Sequence, residues 1–194
     1  MYTILSEQSV FSWRIFDIVH QEVDVWWAHI KTFEKAVRSP WTRLIISDNN
    51  KILLTREYRI EIDNYDYRLP GGKVFDKLKQ YNSFLSSGEN ILSIAQQAAL
   101  KEAKEEVGII QSDCNFFQIS HNGSTVERDL YYFILSNCVF WEKSLGKWEY
   151  ITDDWYSIDQ VITMCMDGSM KEERSSMILL KFLYQKNIIN FTAV

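Results

Sequence analysis

Residues 91–107, ILSIAQQAALKEAKEEV, constrain the chain more than any other stretch. Leu92, Ala95, Ala99, Ala103 and Val107 recur at helical spacing on one stripe, and Gly108 follows as a C-terminal stop. Ser86 and Glu89 stand at capping-box spacing just ahead and are expected to open the helix. At about 100° per residue, Glu102 and Glu106 fall together at the margin of the small-residue stripe, beside whatever the helix packs on. Glu105 makes three carboxylates within five positions, a crowding that costs on the order of 0.2–0.5 kcal/mol per like-charged pair at helical spacing. Lys101 and Glu105 form an i,i+4 pair typical of a solvated face, but the marginal position of Glu102 and Glu106 is not that of a solvated face.

Around this helix the pattern alternates between strand and helix. VFSWRIFDIV, VDVWWAHIKTFEKAV and TRLIIS read as strands, and SDNNK, residues 47–51, as the turn between TRLIIS and KILLTREYRI. The aromatic side chains Trp13, Trp26, Trp27, Phe33 and Trp41 are expected in a core or a subunit interface. In LPGGK, Pro70 keeps the residue before it out of helix, and Gly71–Gly72 permits close approach of the backbone to a ligand. Residues 75–90 read as an irregular loop. NFFQIS and DLYYFILSNCVF read as strands and WEKSLGKWEYITDD as a charged link. Ser157 with Gln160 opens a short helix ending near Gly168, and KEERSSMILLKFLYQK closes the chain with an amphipathic helix. No repeat and no inter-domain linker appears.

A chain of 194 residues, 46% hydrophobic and 14% aromatic, can bury one sizeable core. Its net charge of −5 argues against a nucleic-acid surface, which needs a basic stripe. An acidic protein acting on an anionic substrate needs a local source of positive charge, and a divalent cation is one candidate. Cys114, Cys138 and Cys165 are widely spaced with no CxxC pair, and the three histidines lack ligand spacing, so neither a disulfide framework nor a thiolate zinc site is supported. A reduced cytoplasmic setting is expected. No apolar run approaches 18 residues and the N-terminus lacks a signal-like pattern, so neither a membrane span nor export is expected.

Together LPGGK, the later GE, KEAKEEVGI and GSTVER resemble the Nudix hydrolase family, whose box is written GX5EX7REUXEEXGU. Gly72 matches the opening glycine, Glu89 the first acid, and Lys101 to Ile109 the segment REUXEEXGU. Lys101 stands in place of the arginine, and 29 residues lie between Gly72 and Glu102 against 14 in the pattern. The excess falls partly in the loop and partly as about one helical turn before Ala98, which preserves the phase of the glutamates; loop insertions cost little closure entropy. Residues 40–186 resemble the ADP-ribose and nucleoside-diphosphate-sugar pyrophosphatase branch of that family.

The resemblance implies an α/β fold, an α/β/α sandwich with a mixed central sheet and an N-terminal antiparallel extension. Residues 1–40 would form the extension and supply homodimer contacts, and 41–194 the hydrolase domain. It implies Mg²⁺ or Mn²⁺ bound by Glu102, Glu105, Glu106 and the Gly71 carbonyl, hard oxygen donors suited to such ions. The implied reaction is attack of water on the pyrophosphate of a nucleoside diphosphate linked to a sugar or ribose. Glu127 and Glu149 are the general-base candidates outside the box, and Arg59, Arg56 and Lys73 the expected substrate-binding cations. Two alternatives accompany this reading: a non-catalytic nucleotide-binding or regulatory module, and a hydrolase of other nucleoside polyphosphates.

Overall fold

Alternation along three strands divides the core in two. In the computed structural model, which describes residues 2–26, 29–123, 125–146 and 150–190, strand β4 (Trp41–Asp48) turns Leu44 and Ile46 to one side and Ile45 to the other. Strand β5 (Lys51–Arg59) does the same with Leu53 against Ile52 and Leu54. Strand β9 (Leu130–Phe140) sorts Tyr131, Phe133 and Leu135 from Leu130 and Tyr132. This is the period-two pattern of a sheet buried on both faces.

The order in the chain is β1 (Thr3–Ser12), β2 (Asp17–Asp24), β3 (Ile30–Val37), β4, β5, a single 3-10 turn (Ile60–Ile62) and β6 (Asn64–Arg68). Then come α1 (Leu78–Leu85), α2 (Ile91–Val107), β7 (Ile109–Ser120), β8 (Val126–Glu127), β9, β10 (Ile151–Ser157), α3 (Ile158–Asp167) and α4 (Glu173–Gln185). The central sheet runs β10-β5-β4-β9-β7, with β6 added to β5. It is mixed: β4 pairs with β9 in parallel, and its other pairings are antiparallel. Helix α2 covers one face and α3 with α4 the other. A smaller sheet, β1-β2-β3-β8, forms the N-terminal extension. The α/β/α sandwich expected from the sequence is the observed architecture.

Local chemistry explains the boundaries. Asn49 and Asn50 take positive φ of 45° and 60°, the left-handed conformation of a two-residue hairpin turn between β4 and β5. Ala95, Ala99 and Ala103 are fully buried, so α2 lies close to the sheet, and Gly108 ends it at φ 71°. Ser157 and Gln160 form the reciprocal capping box of α3 as read from the sequence.

Three expectations are corrected. The helix is opened by Asn90, whose side chain accepts the Leu92 N–H at 2.9 Å, and not by Ser86, which ends α1. Residues 78–85, read as loop, are helical, because Phe75, Tyr81 and Phe84 pack ring to ring and Asn82 donates to Asp17 of β2 at 2.9 Å. The end of the charged link begins β10, which pairs with β5 over seven residues. Trp13, Trp26 and Phe33 face solvent and are not core, Trp41 is half-buried, and Trp27 lies outside the described residues. No described helix is long and apolar enough to cross a membrane.

Candidate active site

The segment after β6 runs back along the start of β4 and is pinned there by backbone hydrogen bonds. The Leu44 N–H donates to Pro70 O at 2.8 Å, Thr42 N–H to Gly72 O at 2.8 Å, and Val74 N–H to Pro40 O at 3.0 Å. Gly71 sits at φ 140°, and a Cβ there would strike the Thr42 carbonyl, so only glycine follows this path. At Gly72 a Cβ would fall on the Glu102 carboxylate. The two glycines thereby bring bare backbone against the margin of α2.

That margin carries Glu102 and Glu106, both half-buried. Glu106 Oε2 accepts the Gly71 N–H at 2.7 Å. Sequence spacing placed these carboxylates on one side of α2, and the fold sets that side against the Gly–Gly step. Glu105 points elsewhere on the helix and meets Lys101 Nζ at 3.6 Å, the i,i+4 pair read from the sequence. Burial acts to lower the Lys101 pKa, but Glu105, Asp76 and Glu102 outweigh it and raise it, so this lysine stays charged beside the acids.

Sequence reasoning missed the residue that holds the glycine loop from below. Arg43 is 2% exposed; its Nη1 donates to Thr42 O at 3.0 Å and to Gly71 O at 3.1 Å. Its Nε and Nη2 grip the two oxygens of Glu172 at 2.6 and 2.9 Å, a bidentate pair closed by Ser175 Oγ at 2.6 Å. Glu172 is the N-cap of α4, so the pair ties that helix to β4 and β4 to the glycine loop. The one sequence signal was a charged residue inside the apolar run TRLIIS.

Burial alone would push the Glu172 carboxyl up; the Arg43 charge and the hydrogen bonds from Arg43 and Ser175 outweigh it and hold the pKa at about 2 against an ordinary 4.5. Between those values the unfolded chain binds the proton and the folded chain does not. Stability from this group, about 3 kcal/mol, is therefore present above about pH 4.5 and lost as pH falls towards 2. Denaturant midpoints measured from pH 6 to pH 2.5 should fall steadily below pH 4.5, and a Glu172→Gln variant should lose most of that slope.

The remaining candidates are dispersed. Arg56 stacks on Tyr65 with its guanidinium 3.7 Å from the ring centroid, and Arg59 pairs with Glu57 at 2.6 Å, both near the end of β5. The buried Nε atoms of both arginines lack a hydrogen-bond partner within the described structure. Lys73 is exposed, and its backbone bridges to Trp41. Glu127 lies on β8 in the N-terminal sheet, paired with Lys35 at 2.8 Å. Glu149 lies outside the described residues.

Among the described residues, no three His, Cys, Asp or Glu side chains gather in an arrangement that could hold a metal ion. Glu102 and Glu106 nevertheless present carboxylate oxygens to the Gly71–Gly72 step, where the Gly71 N–H meets Glu106 and the Gly71 carbonyl meets Arg43. One or two carboxylates, completed by water and substrate phosphates, is the usual habit of protein-bound Mg²⁺. The two carboxylates fit a hard divalent cation on those terms.

The class that the fold defines is a mixed-sheet α/β/α protein. The chain matches the solved crystal structure of an ADP compounds hydrolase with a TM-score of 0.71 and 17% identity, covering 97% of each chain. At that identity the likeness is one of fold. No family model and no curated protein matches the sequence.

Proposed function

We propose that this chain is a Nudix-type pyrophosphohydrolase that splits the diphosphate of a nucleoside diphosphate linked to a sugar or ribose. The observation that carries this reading is the convergence of Glu102 and Glu106 on the Gly71–Gly72 backbone, in a fold shared with an ADP compounds hydrolase. Mg²⁺ or Mn²⁺, held by Glu102, Glu106 and the Gly71 carbonyl with Glu105 as the third carboxylate, would neutralise phosphate charge and activate water.

The chain's own residues supply position and electrostatics. Gly71 and Gly72 admit substrate phosphates to the carboxylates without a side chain in the way. Arg43, donating to the Gly71 carbonyl, fixes the loop from beneath. Arg56, Arg59 and Lys73 are the cations for the diphosphate. In this reading Arg59 exchanges Glu57 for substrate, and one of Glu127 and Glu149 receives the proton from the attacking water. Glu127 would have to leave Lys35 to do so. The N-terminal sheet supplies a homodimer contact, a role supported by the full exposure of β1 with Ile4, Leu5, Val10 and Phe11.

The test is release of phosphomonoesters from ADP-ribose, ADP- and GDP-sugars, dinucleotides and nucleoside triphosphates, with Mg²⁺ or Mn²⁺. Cleavage of the sugar-linked diphosphates ahead of the triphosphates is expected. Metal-dependent binding without turnover of any of them would replace the enzyme reading with that of a nucleotide-binding module.

A further inference from the structure

The box of this chain is lengthened between Gly72 and Glu102, and the added segment builds a wall. Between it and the turn joining β1 to β2 lies a cavity of about 710 Å³, open to solvent on one side and within the size range of small-molecule sites. Arg14 projects from the turn, and Lys73, Lys77 and Lys79 from the opposite wall, with Trp13 beside them. Asp76 is the single carboxylate among the lining side chains. None of the four cations forms a salt bridge with any described residue, although the chain as a whole carries a charge of −5. The walls are fastened to each other: Asn82 of α1 donates to Asp17, which is buried at the start of β2.

We infer that this cavity is an anion subsite for a phosphate group beyond the scissile diphosphate. The inference rests on the proposed function, and it names the substrate class: nucleoside diphosphate derivatives whose second half is itself phosphorylated. In the proposed function the scissile diphosphate has its own cations in Arg56, Arg59 and Lys73, beside the Gly71–Gly72 backbone. Lys73 follows that site directly in the chain, and the cavity extends from it, so the charge of Arg14, Lys77 and Lys79 is surplus to the reaction centre. A neutral sugar leaves three clustered cations, Arg14, Lys77 and Lys79, uncompensated, whereas a phosphate dianion offsets them with charge-assisted hydrogen bonds.

The decisive measurement is titration calorimetry with ADP-ribose and with ADP-ribose carrying a phosphate on its distal ribose, metal omitted so that no turnover intervenes. The wild-type protein is compared with Lys77→Ala/Lys79→Ala. Lys79 lies within α1, where alanine is the better helix former, and Lys77, the N-cap, bonds Gln80 through its backbone, which alanine keeps, so the double variant retains its fold. The phosphorylated compound is expected to bind the wild type about tenfold more tightly than ADP-ribose, and the double variant without preference. The wild-type preference should also shrink at high salt. Equal affinity of the wild type for the two compounds, no binding of the phosphorylated one, or a preference that survives in the double variant overturns the inference. Loss of the preference in the variant sustains it even where the metal-loaded protein hydrolyses neither compound, an outcome that counts against the hydrolase reading alone.

Discussion

Under the proposed hydrolase function, Glu106→Gln is expected to lower turnover about 10²–10³-fold, while stability stays within about 0.5 kcal/mol of wild type. The separation follows from one hydrogen bond. Glutamine is isosteric with glutamate, and its amide oxygen can still accept the Gly71 N–H that Glu106 holds at 2.7 Å, so the loop keeps its anchor. Only the charge is removed, and charge is what a divalent cation and an in-line water require. Glu106→Ala, by contrast, leaves the Gly71 N–H without its acceptor and disturbs the loop as well. Parallel measurement of kcat and of the thermal midpoint for both variants checks this. A Glu106→Gln variant that turns over at the wild-type rate would remove Glu106 from the chemistry.

Arg43→Ala should destabilise the protein by about 3–5 kcal/mol, on the order of 10 °C in the thermal midpoint. The loss has two parts. Glu172 is left as a half-enclosed carboxylate whose two oxygens had been gripped by the guanidinium, and the carbonyls of Thr42 and Gly71 lose their donor. Because Gly71 is one of those carbonyls, activity should fall together with stability, unlike in Glu106→Gln. Replacing the pair by apolar residues of similar size, Arg43→Met with Glu172→Leu, should recover a large part of the stability, since no buried charge is left unpaired. The recovered variant should remain poor in turnover, because methionine cannot hold the Gly71 carbonyl. Chemical denaturation of the two single variants and the double variant gives the coupling directly.

What the sequence disclosed was local and periodic. The body and C-terminal end of α2 were legible because its alanines repeat at helical spacing and Gly108 ends it, although its opening residue is Asn90 and not Ser86, and the β4–β5 turn was legible because two asparagines tolerate positive φ. Helix α1 was not. Lys77, Lys79, Gln80, Asn82 and Ser83 give a polar surface, and the ring packing of Phe75, Tyr81 and Phe84 with the Asn82–Asp17 bond emerges only in three dimensions. Strand β10 was hidden for the same reason: TDD reads as solvated chain until β5 supplies the ladder. For the site, helical phase alone put Glu102 and Glu106 on one side of α2. Their alignment with Gly71 and Gly72 rested on the box spacing, and Arg43 with Glu172, 129 positions apart, left no pattern a linear reading can find.

The parallel pairing of β4 with β9 governs how this protein is born. Those strands lie roughly ninety positions apart, and β9 separates β4 from β7 in the finished sheet. During synthesis the β4–β5 hairpin and α2 leave the ribosome first, each with an apolar face and no β9 to close against. At typical elongation rates of about 5–20 residues per second, β9 follows seconds later. Long-range closure of this kind is slow. The nascent chain therefore holds Leu44 and Ile46 without their β9 partners until residue 140 has emerged, and Ile45 without α3 and α4 until residue 185 has, and its yield in a cell will depend on what shields those two faces.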